Sequence, residues 1–131
     1  MRSLQELKNR LSSYDGVDFV YYPNIGYIAW HQSTGDNIEV LFIEVKPGYG
    51  GWIYNRMVKT LLGAGREPYH SVFCFWLKSN QAAAMFYKSM EWNQVDLGQS
   101  IYQNDETVLC WITWKNLLQN LNVRERTNEG D

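Results

Sequence analysis

A chain of 131 residues suits one domain, long enough to bury roughly two-thirds of its unfolded surface in a single core. The composition, 45% hydrophobic and 20% charged, is ordinary for a globular protein, but 15% aromatic content with six Trp and nine Tyr is high. Twelve basic and fourteen acidic side chains give a net charge of -2, so no overall basic field draws the chain to nucleic acid or anionic lipid, and only a local patch stays open.

The opening "MRSLQELKNRL" is charged but lacks the unbroken apolar run of a signal peptide, and no window nears the roughly 18 apolar residues of a membrane span. A soluble, unsecreted, cytoplasmic protein is expected. In the same segment Ser3 suits an N-cap with Glu6 three residues on, and Leu4, Leu7 and Leu11 recur at helical spacing, which predicts a short amphipathic helix. "VDFVYY" and "YIAWH" read as strands joined by the turn "PNIG", a hairpin. After the polar turn "QSTGDN", the β-branched and apolar "IEVLFIEV" reads as a central strand covered on both faces.

That strand feeds a glycine cluster, "KPGYGG", and then a helix from about Trp52 to Gly63, with Ile53, Met57, Val58 and Leu61 on one face and "GAG" as its stop. "HSVFCFWLK" predicts another strand. "SNQAAAMFYKSM" predicts a helix N-capped by Ser79 or Asn80. "EWNQVDLGQSIY" reads as a strand interrupted near Gly98, "QNDE" as a turn, and "TVLCWITW" as the final strand. Residues 116–131 read as a polar tail that frays. The order helix, three antiparallel strands, helix, strand, helix, two strands implies a mixed α/β sheet, mostly antiparallel, with one parallel β-α-β crossover in its middle, in a single domain over 1–131.

Cys74 and Cys110 each lie in an apolar strand pattern, so both are expected buried, reduced and structural. His31 and His70 are far apart and no Cys-x-x-Cys occurs, so a metal site is not expected. Glycines that end a strand and open a helix let backbone N-H groups approach an anion closely, and the helix dipole adds to the attraction. Gly48, Gly50 and Gly51 fit that need, although the segment follows neither common nucleotide-loop pattern and a tight strand-to-helix turn explains it equally.

Two stretches together resemble the GNAT acetyltransferases. "IEVLFIEVKPGYGGWI" is similar to the family's central strand and pyrophosphate turn, and "NQAAAMFY" followed by "KSMEW" matches its later helix at Asn80, Ala83, Phe86 and Tyr87. The resemblance covers most of the chain and implies a GNAT-like twisted sheet whose central parallel strands splay apart. It implies acetyl-CoA as co-substrate and a primary amine, small molecule or protein, as acceptor. The strand edge from Ile43 to Val45 would hold the pantetheine arm, and the amides of Gly48, Tyr49, Gly50 and Gly51 the pyrophosphate. Asn80 and Phe86 would position the CoA, Tyr87 would protonate the departing thiolate, and Glu39 would act as base. Glu44 competes for that last role, on the opposite face by strict alternation.

The sequence departs from the family pattern in several places. No Gln or Arg precedes the glycines, and the turn is short. Gly48-Tyr49-Gly50 is the family's Gly-x-Gly, or the loop aligns one or two residues later, which sets Trp52 where a small residue is expected. Glu91 replaces a common glycine, and one short helix precedes the hairpin. An inactive GNAT-fold binding or structural module is therefore the alternative to the enzyme. Tyr27 and Trp30 are offered as acceptor-groove residues, the other tryptophans as core or sheet-face residues, and exposed aromatics with the last apolar strand leave a homodimer open.

Overall fold

The computed structural model describes residues 1–65, 68–99 and 106–129, with the backbone alone at 99 and 122–129. Helix α1 (Leu4–Leu11) is followed by β1 (Val17–Tyr22), β2 (Gly26–Gln32), β3 (Ile38–Val45) and α2 (Gly50–Gly63). Then come β4 (Ser71–Leu77), α3 (Gln81–Ser89), β5 (Asn93–Gln99), β6 (Glu106–Thr113) and α4 (Trp114–Glu129). The six strands form one sheet in the order β1-β2-β3-β4-β6-β5. Only the β3–β4 pair is parallel, with α2 as its crossover. The architecture is the mixed sheet expected.

Local chemistry explains most boundaries. Ser3 Oγ accepts from the Glu6 amide at 3.2 Å while Glu6 Oε1 accepts from the Ser3 amide at 3.4 Å, a reciprocal cap that starts α1. The interruption read near Gly98 is a register shift between Asp96 and Gly98 against β6. Ser100–Tyr102 of that predicted strand, and all of the "QNDE" turn except Glu106, lie outside the described residues.

The main core fills one face of the sheet. Ile28, Ile38, Val72 and Ile112 meet Ile53, Met57 and Leu61 from α2 and Leu117 and Leu121 from α4. On the opposite face α1 lays Leu7 and Leu11 on Tyr27 and Ala29. Tyr27 and Trp30 are therefore core residues, 3% and 1% exposed, and not part of a groove as expected. Trp111 stands out from the other tryptophans on the strands and helices by its exposure.

Two more expectations are corrected by the structure. The segment from 116 was read as a polar tail, but α4 runs to Glu129, because Leu117 and Leu121 sit one turn apart and both bury. Strict alternation along β3 also fails. Ala29 pairs with Phe42 while the next residue, Trp30, pairs with Val40, so Leu41 is an extra residue, a β-bulge. Ile38 and Val40 before it face the main core, as do Ile43 and Val45 after it. Glu39 and Glu44 consequently share the α1 face instead of opposing each other.

Candidate active site

The site begins where two strands part. β3 and β4 pair only from Ile38 with Val72 to Val40 with Cys74. Beyond the bulge at Leu41, the β4-facing edge of β3 has no strand partner among the described residues, because the bulge twists the strand outward. The gap that opens has a volume of about 260 Å³. Val40, Leu41 and Ile43 line it from β3, Cys74 and Trp76 from β4, and Asn80 and Tyr87 from α3 and its cap. Three residues singled out in the sequence, Ile43, Asn80 and Tyr87, are thus brought together. Val45 instead borders a separate open hollow with Glu44 and Lys46.

Tyr87 stands at the floor of the gap and is 3% exposed. Its hydroxyl shares a 2.6 Å hydrogen bond with the Tyr54 hydroxyl, and its ring stacks on Trp76 with centroids 6.3 Å apart. Burial holds the Tyr87 hydroxyl well above the usual tyrosine range, and the nearby Cys74 adds to this. Tyr87 therefore keeps its proton at neutral pH and is chemically a donor. Tyr54 is raised in the same way, first by burial and then by Tyr87. Sequence reasoning missed Tyr54. Its position beside Ile53 on the buried face of α2 was the available signal, since a buried tyrosine hydroxyl needs a partner.

The glycine cluster lies at the end of β3. Gly48 has φ +88, a conformation that favours glycine, and the Tyr49 amide is taken by the Lys46 carbonyl at 3.1 Å. Helix α2 begins at Gly50, and its first internal bond runs from the Ile53 amide to the Tyr49 carbonyl at 2.9 Å. No side chain caps it. The amides of Gly50, Gly51 and Trp52 in the first turn thus precede the helical ladder and are available to an anion. A Cβ on Gly50 would run into the Phe86 ring, so this glycine lets α2 and α3 meet closely. The Trp52 ring packs against Tyr22, with centroids 4.8 Å apart, and lies under the Arg56 guanidinium at 4.1 Å.

At the start of α3, Asn80 Oδ1 accepts from the Ala83 amide at 3.0 Å, so the matched asparagine is also an N-cap. Phe86 stacks on Tyr54 with centroids 5.7 Å apart. Glu39 stands apart from these groups. It lies on the α1 face, where its Oε1 meets His31 Nε2 at 2.7 Å, whereas Tyr87 belongs to the core on the other face. The parting of β3 and β4 lies between the two faces. Glu44 is held by the Arg2 amide at 3.0 Å, which lowers its carboxyl below the usual range. Among the described residues no group of three His, Cys, Asp or Glu could hold a metal ion, and no helix is long and apolar enough to cross a membrane.

No protein-family model matches the sequence, and no curated protein matches it significantly. Solved structures match it by fold. A chimera of the spermidine N-acetyltransferase SpeG of Vibrio cholerae and hSSAT superposes with a TM-score of 0.62 at 17% identity, over 88% of this chain and 81% of that one. The dodecameric Vibrio cholerae enzyme gives 0.62 at 16%, over 88% and 75%. The ribosomal-protein-S18-alanine N-acetyltransferase of Escherichia coli gives 0.55 at 12%, over 82% and 76%. At these identities the likeness establishes the fold, which is that of the GNAT N-acetyltransferases.

Proposed function

We propose that the chain, built on the GNAT fold, is an N-acetyltransferase that moves the acetyl group of acetyl-CoA to a primary amine by direct attack. The observation that carries this reading is the gap between β3 and β4, with Tyr87 at its floor and uncapped helix amides beyond the end of β3. An extended thioester arm suits such a gap. The free edge of Leu41–Val45 would pair with the amides of the arm, and the first-turn amides of α2 would hold its pyrophosphate. Phe86 shapes the α2–α3 junction, and the Asn80 side-chain NH2, left over from capping, would be free to bond the arm.

In this reading Glu39, directly or through water, takes a proton from the ammonium so that the nitrogen lone pair is free. The nitrogen bonds to the acetyl carbon and gives up its second proton to water, the carbon–sulfur bond breaks, and Tyr87 gives its proton to the sulfur and regains one from water. Alignment supplies much of the rate, and general acid help contributes on the order of a hundredfold or more. We take the location as cytoplasmic, where acetyl-CoA is supplied and the two buried free thiols stay reduced.

One observation favours a second reading, a binding module that keeps the fold without the chemistry. The Tyr87 hydroxyl is turned into Tyr54 and is nearly sealed from solvent. Calorimetric titration with acetyl-CoA, run with thiol-release assays on the wild type, Tyr87→Phe and Tyr54→Phe, decides between them. The enzyme reading expects micromolar binding that survives Tyr87→Phe while turnover falls about a hundredfold. Absence of heat and of thiol release at high acetyl-CoA refutes it and leaves the module.

A further inference from the structure

Helix α1 covers only half of its face of the sheet. Its leucines reach Tyr27 and Ala29 on β2, with Phe19 and Phe42 packed nearby, all on β1, β2 and β3. On β4, β6 and β5 the residues of the same face stay open: Phe75 is 50% exposed, Val95 47% and Trp111 38%. Cross-strand register sets these side chains in rows. Glu39 lies opposite Phe73, Phe73 opposite Trp111, and the next row runs Phe75, Leu109, Val95. Phe75 also lines the gap above Tyr87. The result is an apolar, aromatic floor that continues from the gap and carries a carboxylate at its border.

We propose that this floor is the acceptor site and that its acceptor is a primary monoamine with an apolar body, an arylalkyl or long-chain alkyl amine. The inference rests on the acetyltransferase reading. The ammonium meets Glu39, whose Oε1 is fixed by His31 and whose Oε2 has no partner among the described residues. The body lies on Phe73, Phe75 and Trp111, whose ring faces also favour a nearby cation. A polyamine suits the site poorly. Among the described strand residues of this face only Glu39 and Glu44 are acidic, and Glu44 is already held by the Arg2 amide. Additional ammonium groups would be desolvated on the floor without partners.

The test is steady-state turnover of the full chain with acetyl-CoA and four acceptors: ethylamine, octylamine, phenethylamine and spermidine. Each methylene placed on the floor should raise kcat/KM about fourfold until the floor is filled, so octylamine should exceed ethylamine by at least about a hundredfold. Phenethylamine should follow octylamine, and spermidine should gain nothing over ethylamine. Trp111→Ala should narrow the octylamine-to-ethylamine ratio at least about tenfold, and octylamine should shift the Trp111 indole resonance.

A flat series, a preference for spermidine, or a ratio untouched by Trp111→Ala overturns the proposal while turnover itself upholds the acetyltransferase. Light scattering that shows a dimer, with the Trp111 indole shielded by a second copy, overturns it too. Failure of acetyl-CoA to bind in the parallel calorimetry removes the underlying reading and this proposal together.

Discussion

Gly50→Ala isolates what the glycine at the start of α2 does for the fold. Alanine in a helix is favoured over glycine by up to about 1 kcal/mol, so backbone propensity alone predicts a gain. Packing opposes it. The new Cβ would press on the Phe86 ring, meeting Cε2 and Cδ2 and lying 3.1 Å from Cζ. That ring is backed by Tyr54, with centroids 5.7 Å apart, and has little room to retreat. Overpacking of this kind costs typically about 1–3 kcal/mol, so a net loss of about 1–2 kcal/mol is expected. Urea unfolding followed by tryptophan fluorescence would show a lower midpoint at an unchanged slope. Pairing the change with Phe86→Leu, whose ends can yield, should recover about 1 kcal/mol relative to the sum of the single effects. Gly48→Ala is the control, because nothing lies within 4 Å of a Cβ there and its cost is the positive φ alone, independent of residue 86. If Gly50→Ala proves as stable as the wild type, or strictly additive with Phe86→Leu, the close approach of α2 and α3 is not what the glycine serves.

The remaining predictions concern titration and the last helix. Tyr27 is raised from 10.0 to about 12, by burial first and then by hydrogen bonding and repulsion from Glu44. A folded pKa above the unfolded one means that the folded state binds more protons between these values, so stability is intact below pH 10 and declines as pH rises toward 12. Urea midpoints stepped through that range should fall, and Tyr27→Phe should flatten the fall and remove one late-titrating tyrosinate from the absorbance curve. An unchanged curve in the variant would refute the assignment. Leu117 is fully buried, and Leu117→Ala should cost about 2–5 kcal/mol in a denaturant melt. A loss below about 0.5 kcal/mol would mean that α4 adds nothing to the core.

Much of the fold was legible because each signal was local. The capping box at Ser3, the apolar run of β3, the helical spacing of Ile53, Met57 and Leu61, and the alanines of α3 each name their own element. Residues brought together by the splay were legible only as a motif, and that motif contained Asn80 and Tyr87. It did not reveal Tyr54, which reads as one more apolar position until the fold supplies Tyr87 as its partner. The last helix was hidden by its polar composition, since most of its apolar residues, the buried Trp114, Leu117 and Leu121 with Leu118 beside them, fall in its first half and polar residues dominate the rest. The strand order was equally silent: β6 inserts between β4 and β5, a long-range pairing that no local pattern announces.

The extra residue at Leu41 has consequences for inheritance as well as for shape. Val40 and Ile43 face the same core although two residues, not one, stand between them, because the bulge takes up Leu41 without turning the strand over. Replacing Leu41 with another side chain keeps the bulge. Loss of its single codon would leave every facing as it is, since Val40, Phe42 and Ile43 would then alternate in a regular strand, but it would remove the bulge and with it the twist that parts β3 from β4. This stretch can therefore drift in composition over many generations, and what descent must preserve for the gap is the presence of an extra residue rather than its identity.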